Sequence, residues 1–567
     1  MNKLVYIVAG AVLSGGISAN AVAQEPALKR PGDTRPDVEK QIETPEQKPQ
    51  LTLPPIEELP ETAPVPGLLK IKLSGFEFEG NTVYSDADLQ ALLKDFLNRY
   101  ITTAELEQIR LKVTNQYINN GYINSGALIP DQDLNNDILK IKIVEGHLTT
   151  INLQNDGRLN KDYLTGRISP DTQQPLNIGD LQERLYLLQQ NPRIKRINAA
   201  LGPGAKRGDG VLDIHVAEEN PYSLTVEFNN YRPVSVGEKQ GELHFNDLNL
   251  SGAGDTLDVI YDGTQGLNAG DIMYAYPVAP NDAVIKVETN YTESNVVQDE
   301  FKDLDISSKA WSASLGVAYP FQLSRFGSYV AELKLDRRYS ESLLSDSPLS
   351  CGYSDGKCNV TALRLSQTAL WHNNTDVVSF RQVLSMGLHA WHASIYKGQD
   401  IPPGQTEDRY TADGRFTAWL LQFQWAKRYS PLKLQSIFRT DMQLAFDPLL
   451  SMEQFAVGGA YSVRGYRENQ YVSDNGLVSS LEFRYPVYHT ARQEVQVMTF
   501  YDYGQSWNYN ERAQQHVLSS VGLGLRYTFT DWVTAQMYWG EKIKDAQNNT
   551  SAWQDKGFHV SIRVNAL

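Results

Sequence analysis

The chain has 567 residues, a formal net charge of -15, 21% charged and 10% aromatic residues, and two cysteines. An acidic chain with no basic tract to offset its charge argues against a nucleic-acid binder. No run of about 18 apolar residues follows the N-terminus, which excludes helical membrane spans but not a β-barrel, whose alternating strands average out as hydrophilic.

Residues 1–23 read as a secretory signal. Lys3 gives the positive start, Leu4 to Ile17 the apolar run, and Ala21-Val22-Ala23 the small-x-small cleavage site, so the mature chain is expected to begin at Gln24. Residues 24–67 hold ten of the 26 prolines, the composition of an extended linker. Within it, Pro36 to Glu43 reads either as a short polar helix with proline in its first turn or as disorder.

Residues 68–146 form a compact α/β module. Leu69 to Leu73 alternates as a strand. Ser85 caps a helix with Leu89, Leu92, Leu93, Phe96 and Leu97 on one stripe. Thr103 opens a second helix, with Leu106, Ile109, Val113 and Tyr117 on a face, ended by Gly121. Strands Ile123 to Ile129 and Ile138 to Val144 follow. Residues 147–219 repeat the order: strand Leu148 to Leu153, a short helix from Asn160, a longer one through Leu181, Leu185 and Leu188, then strands Ile194 to Leu201 and Val211 to Ala217. Two tandem β-α-α-β-β modules are an internal repeat of architecture, and such modules bind extended partners by adding a strand at an open sheet edge.

From 220 to 567 the chain becomes alternating strands. Tyr222, Leu224, Val226 and Phe228 share one side of the first, and sixteen such runs can be counted, ending with Gly557 to Val564. The long ones include Val377 to Trp391 and Thr411 to Trp425. Every second connection is short, as at 251–254, 279–282 and 373–376, whereas the intervening ones are longer, notably 339–360, 392–410, 447–475 and 542–556. Even strand count, short turns on one side and long loops on the other predict a 16-stranded outer-membrane β-barrel with both ends in the periplasm, beside the two modules.

The 29-residue loop from Asp447 to Asn475 carries Gly458-Gly-Ala-Tyr-Ser-Val-Arg-Gly-Tyr466. A loop of that length without structure of its own has a task or is disordered. Folded inward, Arg464 would be a costly buried cation without a partner. Asp502 is the nominee. It has the opposite parity to Tyr501 and Tyr503 in Phe500-Tyr-Asp-Tyr-Gly504, so it faces the lumen if those aromatics face lipid. The pair is expected to be bidentate, and Gly465 to permit close backbone approach.

At these residues the chain resembles the outer-membrane transporters of two-partner secretion, the TpsB branch of the Omp85 superfamily. Val463-Arg464-Gly465-Tyr466 is similar to that family's inward-folded loop-tip motif, and Phe500-x-Asp502-x-Gly504 to its partner on the lumen wall. Leu201-Gly-Pro-Gly204 resembles the second periplasmic module, of the type called POTRA. The resemblance implies a signal peptide (1–23), a plug helix with proline-rich linker (24–67), POTRA 1 (68–146), POTRA 2 (147–219) and the barrel (220–567). It further implies a monomer in the outer membrane that moves a large unfolded β-helical exoprotein of the TpsA type, a haemolysin, adhesin or contact-dependent inhibition toxin, to the cell surface. The POTRA modules would receive the exoprotein's N-terminal domain. No cofactor or ATP is expected, since no Gly-Lys-Ser phosphate loop occurs.

An Omp85-type insertase is the alternative, although it would carry more periplasmic modules. Catalysis is not expected: neither Gly-x-Ser-x-Gly nor His-Glu-x-x-His occurs, and His389 and His392 fit a strand end and its loop. Cys351 and Cys358, in an exported chain, predict a small loop-closing disulfide rather than a metal site.

Overall fold

The computed structural model describes residues 30, 33, 50–52, 70–133, 137–169, 174–345, 347–349, 356–396, 411–510, 515–530, 532–546 and 551–567. The chain divides into two compact units, one made mainly of residues 46–220 and one mainly of residues 221–567.

In the first unit, β2 (Lys70–Leu73) and β3 (Gly75–Glu79) lead to α1 (Asp86–Leu93), whose N-cap Ser85 exchanges hydrogen bonds with Asp88 in a capping box. After β4 (Arg99–Thr102), α2 (Thr103–Asn119) opens at Thr103 as expected, with Thr102 as its cap, because Glu105 lies three positions on and returns a hydrogen bond to it. Strands β5 (Gly126–Leu128) and β6 (Ile138–Val144) follow, with β3 parallel and β5 antiparallel to β6. Leu73, Leu89, Leu93, Ile109, Val113 and Ile141 form the buried core where the helical stripes meet the sheet.

The second module repeats this with β7 (His147–Asn155), α3 (Lys161–Ile168), α4 (Ile178–Gln189), β8 (Ile194–Pro203) and β9 (Asp209–Glu218). Its sheet gains a strand from the proline-rich segment. β1 (Gln50–Thr52) pairs in parallel with β8, Leu51 opposite Ala199, and Leu51 packs on the module's core.

The second unit is a closed antiparallel barrel. Its sixteen principal strands are β10 (Tyr222–Asn229), β11 (Gln240–Asp247), β12 (Thr256–Gly263), β13 (Leu267–Pro277), β14 (Val284–Asn295), β15 (Ile306–Ser324), β16 (Gly327–Leu344), β18 (Lys357–His372), β19 (Asp376–Gly387), β20 (Thr417–Tyr429), β21 (Leu434–Ala445), β24 (Asn475–His489), β25 (Gln493–Trp507), β26 (Gln515–Phe529), β27 (Val533–Lys542) and β28 (Phe558–Asn565). A two-residue strand, β17 (Ser347–Pro348), is added at the end of β16. β28 closes on β10, with Val226 opposite Val564.

Alternation follows from the two solvents. Leu315, Val317, Leu333, Phe483 and Leu523 point outward and are exposed, whereas Asp336, Arg364, Gln422, Asp441, Glu482 and Asp502 are buried on the inner side. Where the chain leaves the bilayer that contrast fades, and expectation and structure part. Much of the expected loop 339–360 is hairpin, since β16 and β18 stay paired out to Glu341 and Lys357. Conversely, β19 stops at Gly387, and Trp391 and His392 take positive φ, which strands do not allow; β20 begins only at Thr417.

Candidate functional site: a loop held inside the barrel

The chain between β21 and β24 forms the site. A single 3-10 turn (Ser451–Glu453) leads into a small hairpin of β22 (Phe455–Val457) and β23 (Tyr471–Ser473). Its tip, residues 458–470, is held by local bonds: Gly459 N–H donates to Val463 O, and Asn469 N–H to Gly458 O. Gly458, Gly459 and residues 463–466 of the tip are buried, whereas Tyr461 is exposed. Val463 and Tyr466 pack with Val383, Leu420, Val457, Val478 and Leu518. The Tyr466 hydroxyl, with its single proton, lies 2.6 Å from Lys544 O and 2.9 Å from Ser519 O.

Arg464 is 4% exposed and Asp502 0%. The structure brings them together in two parallel bonds, Nε to Oδ2 and Nη2 to Oδ1, both 2.8 Å, and the Arg464 backbone N–H also donates to Oδ2 at 3.0 Å. The sequence did not nominate two further partners. Nη1 pairs with Glu482, and Nη2 donates to Ser480 Oγ at 3.0 Å. All four wall residues belong to one register: on β24 and β25, Ser480 stands opposite Asp502 and Glu482 opposite Phe500. Glu482 also pairs with Arg484, so the cluster alternates in sign along the wall.

The Arg464 guanidinium lies 3.6 Å from the Phe500 ring centroid and 4.8 Å from that of Tyr538. Planar cation, two carboxylates and stacking rings make a site matched to arginine rather than lysine. Parity carried the missing signal: with Leu481, Phe483 and Tyr485 outward, Glu482 must face inward.

Two glycines explain the motif spacing. A Cβ on Gly504 would sit 2.4 Å from Val457 Cγ1 and 2.6 Å from Val463 Cγ2, so only glycine leaves room for the tip against the wall. Gly465 has φ +92°, and a Cβ there would meet Gly540 O at 2.7 Å. Its N–H donates to Nε2 of the buried His559. Beyond the motif, Arg467 pairs with Asp555 at 2.6 Å and Glu468 N–H donates to Gln554 Oε1 at 2.9 Å.

The other nominated residues lie elsewhere. Cys358 is buried and disulfide-bonded, while Cys351 lies outside the described residues. The segment Pro36 to Glu43 is also outside them, although Arg30 donates to Asn469 Oδ1 on the loop at 3.3 Å. His389 and His392 are exposed beyond the end of β19.

The family model for haemolysin secretion/activation proteins ShlB/FhaC/HecB matches residues 208–527, and the ShlB-type POTRA model matches residues 71–146. Among curated relatives, the outer membrane transporter CdiB of Dickeya dadantii is 25% identical over 71% of this chain and 70% of its own length. The heme/hemopexin transporter protein HuxB of Haemophilus influenzae is 22% identical over 92% of both. Among solved structures, CdiB from Escherichia coli superposes with a TM-score of 0.67 at 18% identity, over 90% of this chain and 94% of that one. BamA from Haemophilus ducreyi lacking POTRA domains 1-3 reaches 0.51 at 12% identity, over 88% and 100%, a likeness of fold. The chain belongs to the ShlB/FhaC/HecB family, the outer-membrane two-partner secretion transporters, which are not enzymes and which work with exoproteins of the TpsA type.

Proposed function

We propose that this transporter moves one large, unfolded β-helical exoprotein from periplasm to cell surface without ATP, as a monomer. The cargo class is a haemolysin, adhesin or contact-dependent inhibition toxin. In this reading residues 24–67 plug the pore and connect to POTRA 1 (68–146) and POTRA 2 (147–219), residues 220–567 are the conduit, and Arg464 with Asp502 holds the 447–475 loop, the sixth on the side of the long connections, in its working position. Cys351 and Cys358 close a surface loop.

The observation that carries the reading is the edge of β8. It takes up Gln50–Thr52 as an extended parallel strand with one apolar side chain tucked into the core, the mode of recognition an unfolded β-rich cargo requires. Main-chain hydrogen bonds supply affinity with little demand on sequence, which suits a module that must engage a chain before it folds. Folding of the cargo outside the cell supplies direction.

The test co-expresses the chain with a large exported β-helical protein, sought first in the neighbouring reading frame, in cells lacking other such systems. Surface display of the exoprotein should require this chain and should be lost when residues 68–219 are deleted from an inserted barrel. Equal display with and without the modules would sink the reading.

A further inference from the structure

The sixth loop meets the barrel at a second ionic cluster, at its stem rather than its tip. Glu453 ends the 3-10 turn eleven residues before Arg464 and is 2% exposed. Its Oε1 accepts from Arg364 Nη2 at 2.6 Å and lies 3.6 Å from Arg338 Nε. Both arginines share Asp336 Oδ2, Arg338 Nε at 2.8 Å and Arg364 Nε at 3.0 Å, and Arg364 Nη1 also donates to Ser385 Oγ at 2.8 Å. The backbone joins in: Arg338 Nη1 donates to Met452 O, and Gln443 Nε2 donates to Glu453 O and Asp474 O. Leu449, Leu450 and Met452 beside it are buried against Val360, Ala362 and Phe416.

We propose that Glu453 is a positioning residue that holds the stem of the sixth loop in the lumen independently of Arg464. The two anchors share no residue and grip different walls. Arg364 is on β18 and Asp502 on β25, five strands apart around the barrel. The loop is therefore stapled across one sector of the lumen. Breaking the tip lock frees residues 458–470 to move but leaves the loop tethered, so a passage opens by pivoting about Glu453 and the loop does not leave the barrel. The lumen beside the stem, a cavity of about 210 Å³ bordered by Asp271, Glu288, Glu332, Arg338 and Arg364, lies next to the sector the loop fills.

Glu453→Gln suits the test because it keeps size and removes charge, and Asp336 remains to serve both arginines. Each variant carries Tyr461→Cys at the loop tip, and intact cells are treated with a bulky polyethylene-glycol maleimide that reaches the tip only when the loop leaves the lumen. Heat-modifiable migration on gels checks that each barrel is folded. Arg464→Ala alone and Glu453→Gln alone should stay as protected as the parent. The double variant should label at least about tenfold faster, the ratio carried by loss of one hydrogen bond to a charged group. Rapid labelling of Arg464→Ala alone would overturn the proposal, as would rapid labelling of Glu453→Gln alone or full protection of the double variant. The readout needs no cargo, so it stands apart from any failure of the secretion assay.

Discussion

Arg464→Ala is the perturbation for which the structure gives the most direct magnitude. It leaves Asp502 and Glu482, each 0% exposed, without the cation they share at the loop tip, while Glu482 keeps Arg484. Removing one partner of a buried pair costs about 3–5 kcal/mol, because the remaining charge is stranded away from water. Spread over the equilibrium between docked and undocked tip, that is a fall of roughly two to four powers of ten in the docked ratio. Hydrogen exchange at the amides of residues 458–470 reads this ratio directly, since local opening is what exposes them. Protection there should drop by about two powers of ten or more in Arg464→Ala, while the barrel strands keep theirs. Arg464→Lys should recover little: an ammonium cannot make the parallel bonds to both Asp502 oxygens while reaching Glu482. Asp502→Asn should cost less than Arg464→Ala, because Glu482 still neutralises the guanidinium. Surface display of the exoprotein should fall in the same order. Wild-type exchange at 458–470 in Arg464→Ala would refute the pair as the tip's anchor. So would Arg464→Lys matching wild type in both assays.

Further expected outcomes concern other parts of the chain. Gly504→Ala should push Val463 and the tip off the wall and speed exchange at 458–470, and adding both Val457→Ala and Val463→Ala should restore part of the protection, because the clash is with the Val457 and Val463 methyls. No restoration would locate the strain elsewhere. In POTRA 1, burial alone would raise the Glu145 carboxyl, but hydrogen bonds donated by Thr82, Val83 N–H at 2.8 Å and the Tyr117 hydroxyl at 2.8 Å outweigh it and hold its pKa below the usual value. A depressed carboxylate contributes stability that is full above its unfolded pKa of about 4.3 and is lost as pH falls through its folded pKa. Brief pepsin digestion should therefore cut residues 70–146 increasingly as pH drops below about 4, with Glu145→Gln already susceptible and less dependent on pH; identical pH profiles would discard the assignment. Cys351 and Cys358 should resist alkylation until reduced, and ready labelling without reductant would exclude the bond. Deleting residues 24–50 should raise single-channel conductance in a planar bilayer, and unchanged conductance would reject the plug.

What could be read from the sequence follows where the surroundings constrain it. Within the bilayer each strand has lipid on one side and lumen on the other, so side chains alternate and runs such as Thr256–Gly263 and Val533–Gly540 announce themselves. Outside it the constraint lapses, which is why alternation predicts a loop from Tyr339 where the β16–β18 hairpin continues, and carries β19 on to Trp391, four residues past its end at Gly387. Arg464 and Asp502 were legible because a motif pairs them and parity places Asp502. Glu482 was available by the same parity, yet its contact with Arg464 depends on the β24–β25 register, and a slip of one residue would turn it to lipid. That register includes a shift between Pro486 and Tyr488 that no local pattern specifies.

Glu453 had no such signal. It is one acidic residue in an irregular stretch, and its meaning depends on Arg364 and Arg338, which are far away in sequence and are brought to it only by closure of the barrel. The two anchors also differ in how they can be released. The tip lock concentrates its bonds on one guanidinium, so loss of Arg464 breaks them all at once, whereas loss of either Asp502 or Glu482 leaves the other carboxylate in place. The stem adds two backbone carbonyls and three apolar side chains to Glu453, and with the tip lock in place the loss of that carboxylate alone does not free it. Each ionic anchor therefore covers for the other, and the loop leaves the lumen only when both Arg464 and Glu453 are lost.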